Sequence, residues 1–574
     1  MVTQNVIFHF MKRVKPVFMA FFAMTIVGCV QNQLPAGSPI PHLERRGEAV
    51  QLIVDGKPFL VLGGELHNSS SSTTEYMEPV FPRMKAANLN TVLAVVTWEQ
   101  IEQEEGVFDF SSVDAMLDVA RRNDMKLSLL WFGSWKNGIT SYVPAWVQKN
   151  KERFPLIKTK SGAELNILST FGQASREADA KAYRALMNYL AKADAKRTVV
   201  MMQVQNEVGL HGDTRDYHPL ALNAFEAETP AELITYLSAN DGKRLLPELQ
   251  AAWEANGKKT SGNWEALFGK GDYTDELFMA WHYAKYLDEI AKAGKEEYPI
   301  PTFVNAWIVQ PQDQHPGDYP SGGPQAQNHD IWRAAAPHID ILAPDIYLPD
   351  FIGITALYSR LDNPLFIPES SAGMQGAANA FYAIGQMKGI GYSPFGIDSR
   401  MPDPGTEPVS LAYQILASMS DLILEHQAKG SIRGFWLKDN NPQVLQTTHT
   451  LGKYNVKAQF VRGRYAQTAQ GQGGNMPVIG YGLVIMLADD EYLVAGQNIQ
   501  VTFEPVDGQT TAGLAKVQQG RFDNGNWVVT RWLNGDEIQL GYDLLGAQKE
   551  NQSGQGLRLR GNEPSIQRVW LYNY

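Results

Sequence analysis

The chain of 574 residues contains a single cysteine, Cys29. One cysteine excludes an internal disulfide and leaves no cysteine-based zinc or redox centre to look for. Charge is scarce too: Asp, Glu, Lys and Arg make up 19% of the residues, with a formal net charge of −11. There is no Lys/Arg tract to serve as an electrostatic footprint, so no nucleic-acid partner is expected. No apolar run approaches the roughly 20 residues that span a bilayer comfortably, and no acidic residue precedes Glu44. Present instead are 44% hydrophobic residues, 50 Gly, 31 Pro and 13 Trp. That is the composition of a large globular protein, not of a disordered, collagen-like or coiled-coil one.

The acid-free start carries Lys12, Arg13 and Lys15, then an apolar run over 17–27 that Gly28-Cys29 closes. A basic stretch, a short apolar core and a small-residue end make a secretory signal. Met11 is an alternative start to Met1, since the first ten residues add nothing to it. Ile26-Val27-Gly28-Cys29 resembles a bacterial lipobox, whose cysteine is lipidated and becomes the mature N-terminus. An ordinary signal peptide that happens to end in Cys is the alternative. With Val30 and not Asp after the cysteine, the resemblance implies a secreted cell-envelope lipoprotein, held in the outer membrane by a lipid on Cys29. Residues 1–28 are then the signal and 29–41 a flexible tether.

From Phe59 to Asp398, eight short apolar runs recur at intervals that leave room for helices. They are 59–66, 91–98, 126–133, 199–207, 301–307, 339–347, 364–370 and 391–398. Near-continuous hydrophobicity without alternation is how parallel strands buried on both faces read. Eight of them, alternating with amphipathic segments such as 112–123 and 180–195, predict an α/β fold, a (β/α)8 TIM barrel over 42–440. A doubly wound sheet fits worse, because no Gly-rich phosphate loop follows the first strand. About ninety residues separate Glu207 from Pro301. This insertion after strand four, about 208–300, contains Thr229-Pro230-Ala231-Glu232, which reads as a capping box. Beyond Trp436, turn signals such as Asp523-Asn524-Gly525 separate short runs, predicting a C-terminal antiparallel β-sandwich over 441–574.

Catalytic groups of a barrel belong at strand C-termini. Glu207 ends one otherwise apolar strand and Glu369 another, strands four and seven by count. Ionised carboxylates are rarely buried without a purpose, so two on one rim favour a site. The placement suits glycoside cleavage with retention. One carboxylate attacks the anomeric carbon while the other protonates the leaving oxygen and later activates water, and the two must stand about 5–5.5 Å apart.

Asn206-Glu207 on strand four, paired with a strand-seven glutamate, resembles the clan A glycoside hydrolases. More specifically, the chain is similar to glycoside hydrolase family 35 β-galactosidases. Four stretches carry the likeness in order: Gly63-Gly64-Glu65-Leu66-His67, the segment from Trp98 to Phe110, Pro144-Ala145-Trp146, and Gln205-Asn206-Glu207-Val208-Gly209. The resemblance implies Glu207 as acid/base and Glu369 as nucleophile. It also implies Asn206 on the sugar 2-hydroxyl and Tyr347 orienting the nucleophile. It departs from the family at Glu99, where Asn is common, and at Ser134, where an acidic residue contacts sugar hydroxyls.

Sugar rings present apolar C–H faces flanked by hydroxyls, which aromatic platforms beside polar groups suit. Trp307, Trp98 and Trp135 are therefore expected to line the sugar site with Tyr347, and Asn305 and Glu65 to contact the sugar, while Trp131 reads as core. The stretch 211–218, with two histidines, matches no compact metal-ligand spacing, so neither a metal nor a cofactor is expected. These readings converge on a lipid-anchored, retaining exo-β-galactosidase acting on oligosaccharides or on plant-polysaccharide side chains such as those of xyloglucan. The partner is a carbohydrate substrate. Another clan A β-glycosidase (a β-glucosidase or an endo-glycanase) is one rival, and a non-catalytic surface glycan-binding lipoprotein another. Nothing in the sequence reads out an oligomeric state.

Overall fold

The computed structural model describes residues 39–400, 403–438, 445–461, 479–540 and 554–574. The signal, Cys29, the tether up to residue 38 and the Gly/Gln-rich stretch 466–475 lie outside them. No helix among the described residues is long and apolar enough to cross a membrane.

All eight predicted runs are strands of one closed parallel barrel. They are β1 (Val61–Glu65), β2 (Thr91–Thr97), β3 (Lys126–Lys136), β4 (Val199–Asn206), β5 (Thr302–Trp307), β6 (Ile341–Ile346), β7 (Ile367–Ser370) and β8 (Gly391–Pro394). β8 closes the ring on β1 through Gly391 opposite Val61. Both faces of each strand are buried, one toward the barrel axis and one under helices, so the sequence carries no polar alternation. The axis is filled by Leu93, Val95, Leu130, Phe303, Ile341 and Phe366.

A three-stranded antiparallel sheet, His42–Arg46, Ala49–Val54 and Lys57–Phe59, precedes the barrel. Its Leu52 and Val54 join the same cluster and plug the barrel floor. Gln51 Nε2 donates to Leu424 O at 2.7 Å and Glu48 N to Ala428 O at 2.9 Å, tying this plug to the helix Ser420–Lys429.

Around the barrel, α1 (Gln173–Ala193) and α2 (Asp272–Lys295) pack on each other. The buried positions of α1 (Ala178, Ala182, Leu186, Leu190) recur every fourth residue, the spacing of one helix face. Between β4 and α2 the insertion forms four short helices, Pro219–Glu226, Ala231–Asn240, Pro247–Ala255 and Trp264–Phe268. The predicted capping box is not formed. Pro230 is the N-cap of Ala231–Asn240 and makes no side-chain cap bond, while Thr229 Oγ1 is buried without a partner.

The C-terminal β region is built on two packed antiparallel sheets, with a separate two-stranded pair, Gln539–Leu540 and Gly554–Gln555. Six strands run in the order Ile432–Lys438, Ile479–Ala488, Glu491–Gln497, Ser565–Asn573, Ala512–Asp523, Asn526–Leu533. The four facing strands are Gln446–Leu451, Tyr454–Phe460, Ile499–Pro505 and Leu557–Leu559. Phe435, Val456, Val494, Val501 and Val569 fill the space between. The first strand thus starts at Ile432, ahead of the expected boundary at 441. On the other side of the six-stranded sheet, Tyr481 packs on Phe381 of the helix Gly373–Gly385, so barrel and sheets share one hydrophobic core.

Candidate active site

Five ionisable side chains meet at the C-terminal ends of the strands: Glu65 from β1, Lys136 from β3, Glu207 just past β4, Asp345 from β6 and Glu369 from β7. All are buried, between 1% and 8% exposed. Neighbouring strands set Asp345 and Glu369 level, since they are register partners. Glu207 arrives differently. Gln205 and Glu207 both have left-handed backbone, φ 62° and 45°, conformations a residue with a Cβ holds only when its surroundings over-determine it. These two turns end the strand's alternation and bring Glu207 over the mouth. One carboxylate oxygen from each of Glu207, Asp345 and Glu369 lies within 4.8 Å of the other two.

A polar lattice holds the Asn206-Glu207 dipeptide. Asn305 Oδ1 accepts from Glu207 N at 2.9 Å, and Asn305 Nδ2 donates to Asn206 Oδ1 at 3.0 Å and to Asp345 Oδ2 at 2.7 Å. Gln203 Nε2 also donates to Asn206 Oδ1, at 3.0 Å. Asn206 Nδ2 reaches Asn137 Oδ1 at 3.2 Å and Glu207 Oε2 at 3.4 Å. Across the mouth, Tyr347 donates its hydroxyl to Glu369 Oε1 at 2.7 Å.

Burial of so many carboxyls with one ammonium favours their neutral forms. Burial pushes Glu207 up to about 7, with the Glu369 charge adding to it and Lys136 opposing. Burial also lifts Glu369, but Lys136, the Tyr347 hydroxyl bond and Arg400 all oppose it. Glu65 and Asp345 are pushed well above the usual carboxylate range, first by burial and then by the Glu369 charge. Both oxygens of Glu65 and Oδ1 of Asp345 are buried without a hydrogen-bond partner. Environment thus sets the carboxyls apart: Glu65, Glu207 and Asp345 are pushed toward keeping a proton, whereas the lift of Glu369 by burial is opposed by Lys136, Tyr347 and Arg400, the kind of division that acid and base chemistry at one site needs. By distance, Glu207, Asp345 and Glu369 could also grip a divalent cation, although the Lys136 ammonium already supplies positive charge beside them.

Some expected sugar contacts lie elsewhere. Trp98 is fully buried, donates Nε1 to Glu102 Oε2 at 2.7 Å and packs edge-on against Trp146. Trp135 is fully buried, donates Nε1 to Leu168 O at 3.0 Å and packs on Tyr283 and Tyr286. Both are core residues, out of reach of a sugar. Trp131, expected in the core, is buried. The amide of Asn305, expected on the sugar, is engaged with Glu207 N, Asn206 and Asp345, an arrangement that positions the Asn206-Glu207 dipeptide. Ser134 faces away from the mouth, with Oγ 2.5 Å from Asp179. Trp307 is half-buried at the end of β5, edge-on to His211, and does face the mouth loops. Glu99, with Asn68, Thr97 and Tyr142, lines a cleft of about 350 Å3 at the ends of β1 and β2. Leu210 and Ser321 exchange two backbone bonds of 2.9 Å, joining the loops after β4 and β5 beside Glu207.

Sequence reasoning missed Asp345 and Lys136. Asp345 was visible as the acidic residue toward the C-terminal end of the apolar run of strand six. Lys136 lay past the predicted end of strand three at Gly133, which β3 overruns by three residues.

Comparison with known proteins fits this geometry. Residues 67–257 match the model of glycoside hydrolase family 42, described as beta-galactosidase, and residues 409–545 match a domain of unknown function. The first stretch carries β2 to β4 and Glu207, and ends before Asp345 and Glu369. This part of the barrel is similar to family 42 glycoside hydrolases, where the sequence motifs had resembled family 35. A beta-galactosidase of Xanthomonas manihotis is 27% identical over 182 residues, which are 30% of this chain and 27% of that protein. The chain thus aligns with about a quarter of the length of that curated relative. Among solved structures, the beta-amylase catalytic domain of Paenibacillus polymyxa superposes with TM-score 0.44 and 13% identity, over 64% of this chain and 98% of that one. The beta-galactosidase of the psychrophilic Marinomonas ef1 gives 0.42 and 13%, over 64% and 61%.

Proposed function

We propose that the chain is a retaining, exo-acting β-galactosidase that removes terminal β-galactosyl residues from oligosaccharides or plant-polysaccharide side chains, xyloglucan among them. The observation that carries this reading is the carboxylate arrangement at the barrel mouth. Oxygens of Glu207 and Glu369 approach within 4.8 Å, a spacing that leaves no room for water between acid and base and so suits a double displacement. Glu369, oriented by Tyr347, attacks the anomeric carbon while Glu207 gives its proton to the leaving oxygen. The glycosyl–Glu369 ester is then opened by water, whose proton returns to Glu207. Asn206 Nδ2 reaches the sugar 2-hydroxyl by exchanging its 3.2 Å bond to Asn137 Oδ1 for it, and Glu65 offers two unsatisfied carboxyl oxygens to other hydroxyls. The paired loops after β4 and β5 wall one side of the mouth and support action on a terminal sugar. The family 42 match favours galactose, and the motif wording leaves the chain between families 35 and 42.

We further read the chain as a lipoprotein secreted through residues 1–28 and anchored in the outer membrane at Cys29. Cys29→Ser should then leave the protein unlipidated and release it from the membrane fraction.

The catalytic test is Glu369→Ala on an aryl β-galactoside. Turnover should vanish, and azide should restore it while producing the glycosyl azide of inverted configuration. Normal hydrolysis by that variant would end the nucleophile assignment. A wild-type chain that cleaves aryl β-glucosides but not β-galactosides would overturn the specificity and leave the mechanism standing.

A further inference from the structure

Behind the barrel, out of reach of any ligand in the mouth, α1 carries a fully buried carboxylate, Asp179. Among the described residues no Lys or Arg is hydrogen-bonded to it. Its partners are four neutral donors. Trp131 Nε1 binds Oδ1 at 2.8 Å, while Ser134 Oγ at 2.5 Å, Gln205 Nε2 at 2.8 Å and Ser134 N at 3.3 Å bind Oδ2. Burial lifts the group and the four donors oppose it, leaving it at about 6. Near neutral pH it is therefore mainly the charged acceptor that all four donors require.

The neighbours explain why a carboxylate sits there. Between Trp131 and Lys136, β3 bulges: Trp131 faces Val204 but Lys136 already faces Asn206, so β3 spends five steps where β4 spends two. The bulge turns successive amides of β3 away from the ladder. Gly133 N and Trp135 N both donate to Gln205 Oε1, at 3.2 and 3.1 Å, and Ser134 N to Asp179. Gln205 thus satisfies two stray amides with its oxygen and is held by Asp179 through its nitrogen. A Cβ at position 133 would stand 2.9 Å from Trp131 Nε1, 3.0 Å from Gln205 Nε2 and 3.1 Å from Asp179 Oδ1, so a larger residue there would press on this clasp. Gln205 is also the first of the two left-handed residues that deliver Glu207 to the mouth, conformations that persist only where the surroundings hold them.

We propose that Asp179 is a positioning residue for the acid/base: by clasping Gln205 against the β3 bulge, it holds the left-handed turn that presents Glu207 to the glycosidic oxygen. This inference rests on the reading of Glu207 as acid/base. The same clasp is released from either end, by Asp179→Asn, which replaces one acceptor oxygen with a donor, or by Gln205→Met, which keeps the bulk and loses all three side-chain bonds. Ser134→Ala is the control, since it removes one bond to Asp179 and leaves Gln205 held.

The experiment measures kcat/KM of the full chain on two aryl β-galactosides, one with a dinitrophenyl and one with a phenyl leaving group. General-acid assistance is worth on the order of 100-fold or more to a poor leaving group and little to a good one. Asp179→Asn and Gln205→Met should therefore lose at least about tenfold more on the phenyl than on the dinitrophenyl substrate, and Ser134→Ala should keep the wild-type ratio. A merely structural role would lower both substrates alike together with the melting temperature, and that result overturns the proposal. If Asp179→Asn does not fold, the ratio in Gln205→Met decides in the same way. An active wild type with unchanged leaving-group selectivity in both variants overturns this inference alone. A wild type inactive on every aryl glycoside overturns the parent reading, and this inference with it.

Discussion

Replacing Glu207 with Gln should stabilise the protein, and only above a definite pH. Burial and the Glu369 charge raise the carboxyl from an ordinary 4.5 to about 7. Each pKa unit corresponds to about 1.4 kcal/mol, so that interval amounts to about 3 kcal/mol of strain on the charged form. The sign follows from linkage. Below pH 4.5 the group is protonated in both folded and unfolded chains, and the strain is absent. As pH rises toward 7 the unfolded chain releases the proton and the folded one keeps it, so stability falls. Above about 7 the loss is complete. An amide never ionises, and Gln Oε1 can still accept from Asn206 Nδ2, as Glu207 Oε2 does at 3.4 Å. The variant and the wild type should therefore have equal stability near pH 4. The variant should then gain progressively, reaching about 3 kcal/mol at pH 8. Urea unfolding of both proteins at several pH values from 4 to 8 measures this directly. Glu65 and Asp345 remain in both, and because the Glu207 charge helps to raise them, its removal eases their ionisation and acts in the same direction as the gain. A difference that does not change with pH would refute the reasoning and remove the physical ground for Glu207 holding a proton at neutral pH.

Three further outcomes follow from the same geometry. Tyr347→Phe deletes the 2.7 Å bond that lowers the Glu369 pKa, so the acidic limb of the kcat/KM profile should move to higher pH; an unmoved limb would detach Tyr347 from the nucleophile. Trp135→Phe leaves Leu168 O without its donor and a gap against Tyr286, costing about 1–3 kcal/mol in unfolding experiments with KM unchanged; a raised KM would return Trp135 to the sugar site. Trp307→Ala should raise KM for aryl galactosides by about tenfold, the loss of one aromatic contact of about 1.4 kcal/mol, with little change in melting temperature.

The barrel was legible because each strand is buried on both faces, and runs such as Thr91–Thr97 admit few other readings. Glu207 and Glu369 were legible because a carboxylate at the end of such a run has no structural excuse. The aromatics were not. Sequence places Trp135 near the end of β3 but cannot show that the strand bulges after Trp131, which turns the indole outward onto Tyr283 and Tyr286. Trp98 looked equally exposed, yet it begins the short helix Trp98–Ile101 and its N–H closes on Glu102 one turn later. Asp179 was hidden by its own helix, where an acidic residue in an amphipathic segment reads as solvated surface. Only the bulge across from it reveals the unmet amides that call for a carboxylate.

The plug under the barrel has a consequence for the order in which the chain can fold. Gln51 and Glu48 bond to Leu424 and Ala428, and β1 completes the ring only by pairing with β8 at Gly391. Among the first segments of the barrel unit to leave a ribosome, the plug must wait for some of the last barrel segments. At synthesis rates of about 5–20 residues per second, that wait is roughly 20–75 seconds. Throughout it, Leu52, Val54 and the open edge of β1 stay exposed, a template for intermolecular strand pairing. Overproduction of this protein should therefore be limited by aggregation of nascent open barrels, and slowed translation without chaperone capacity should worsen the yield.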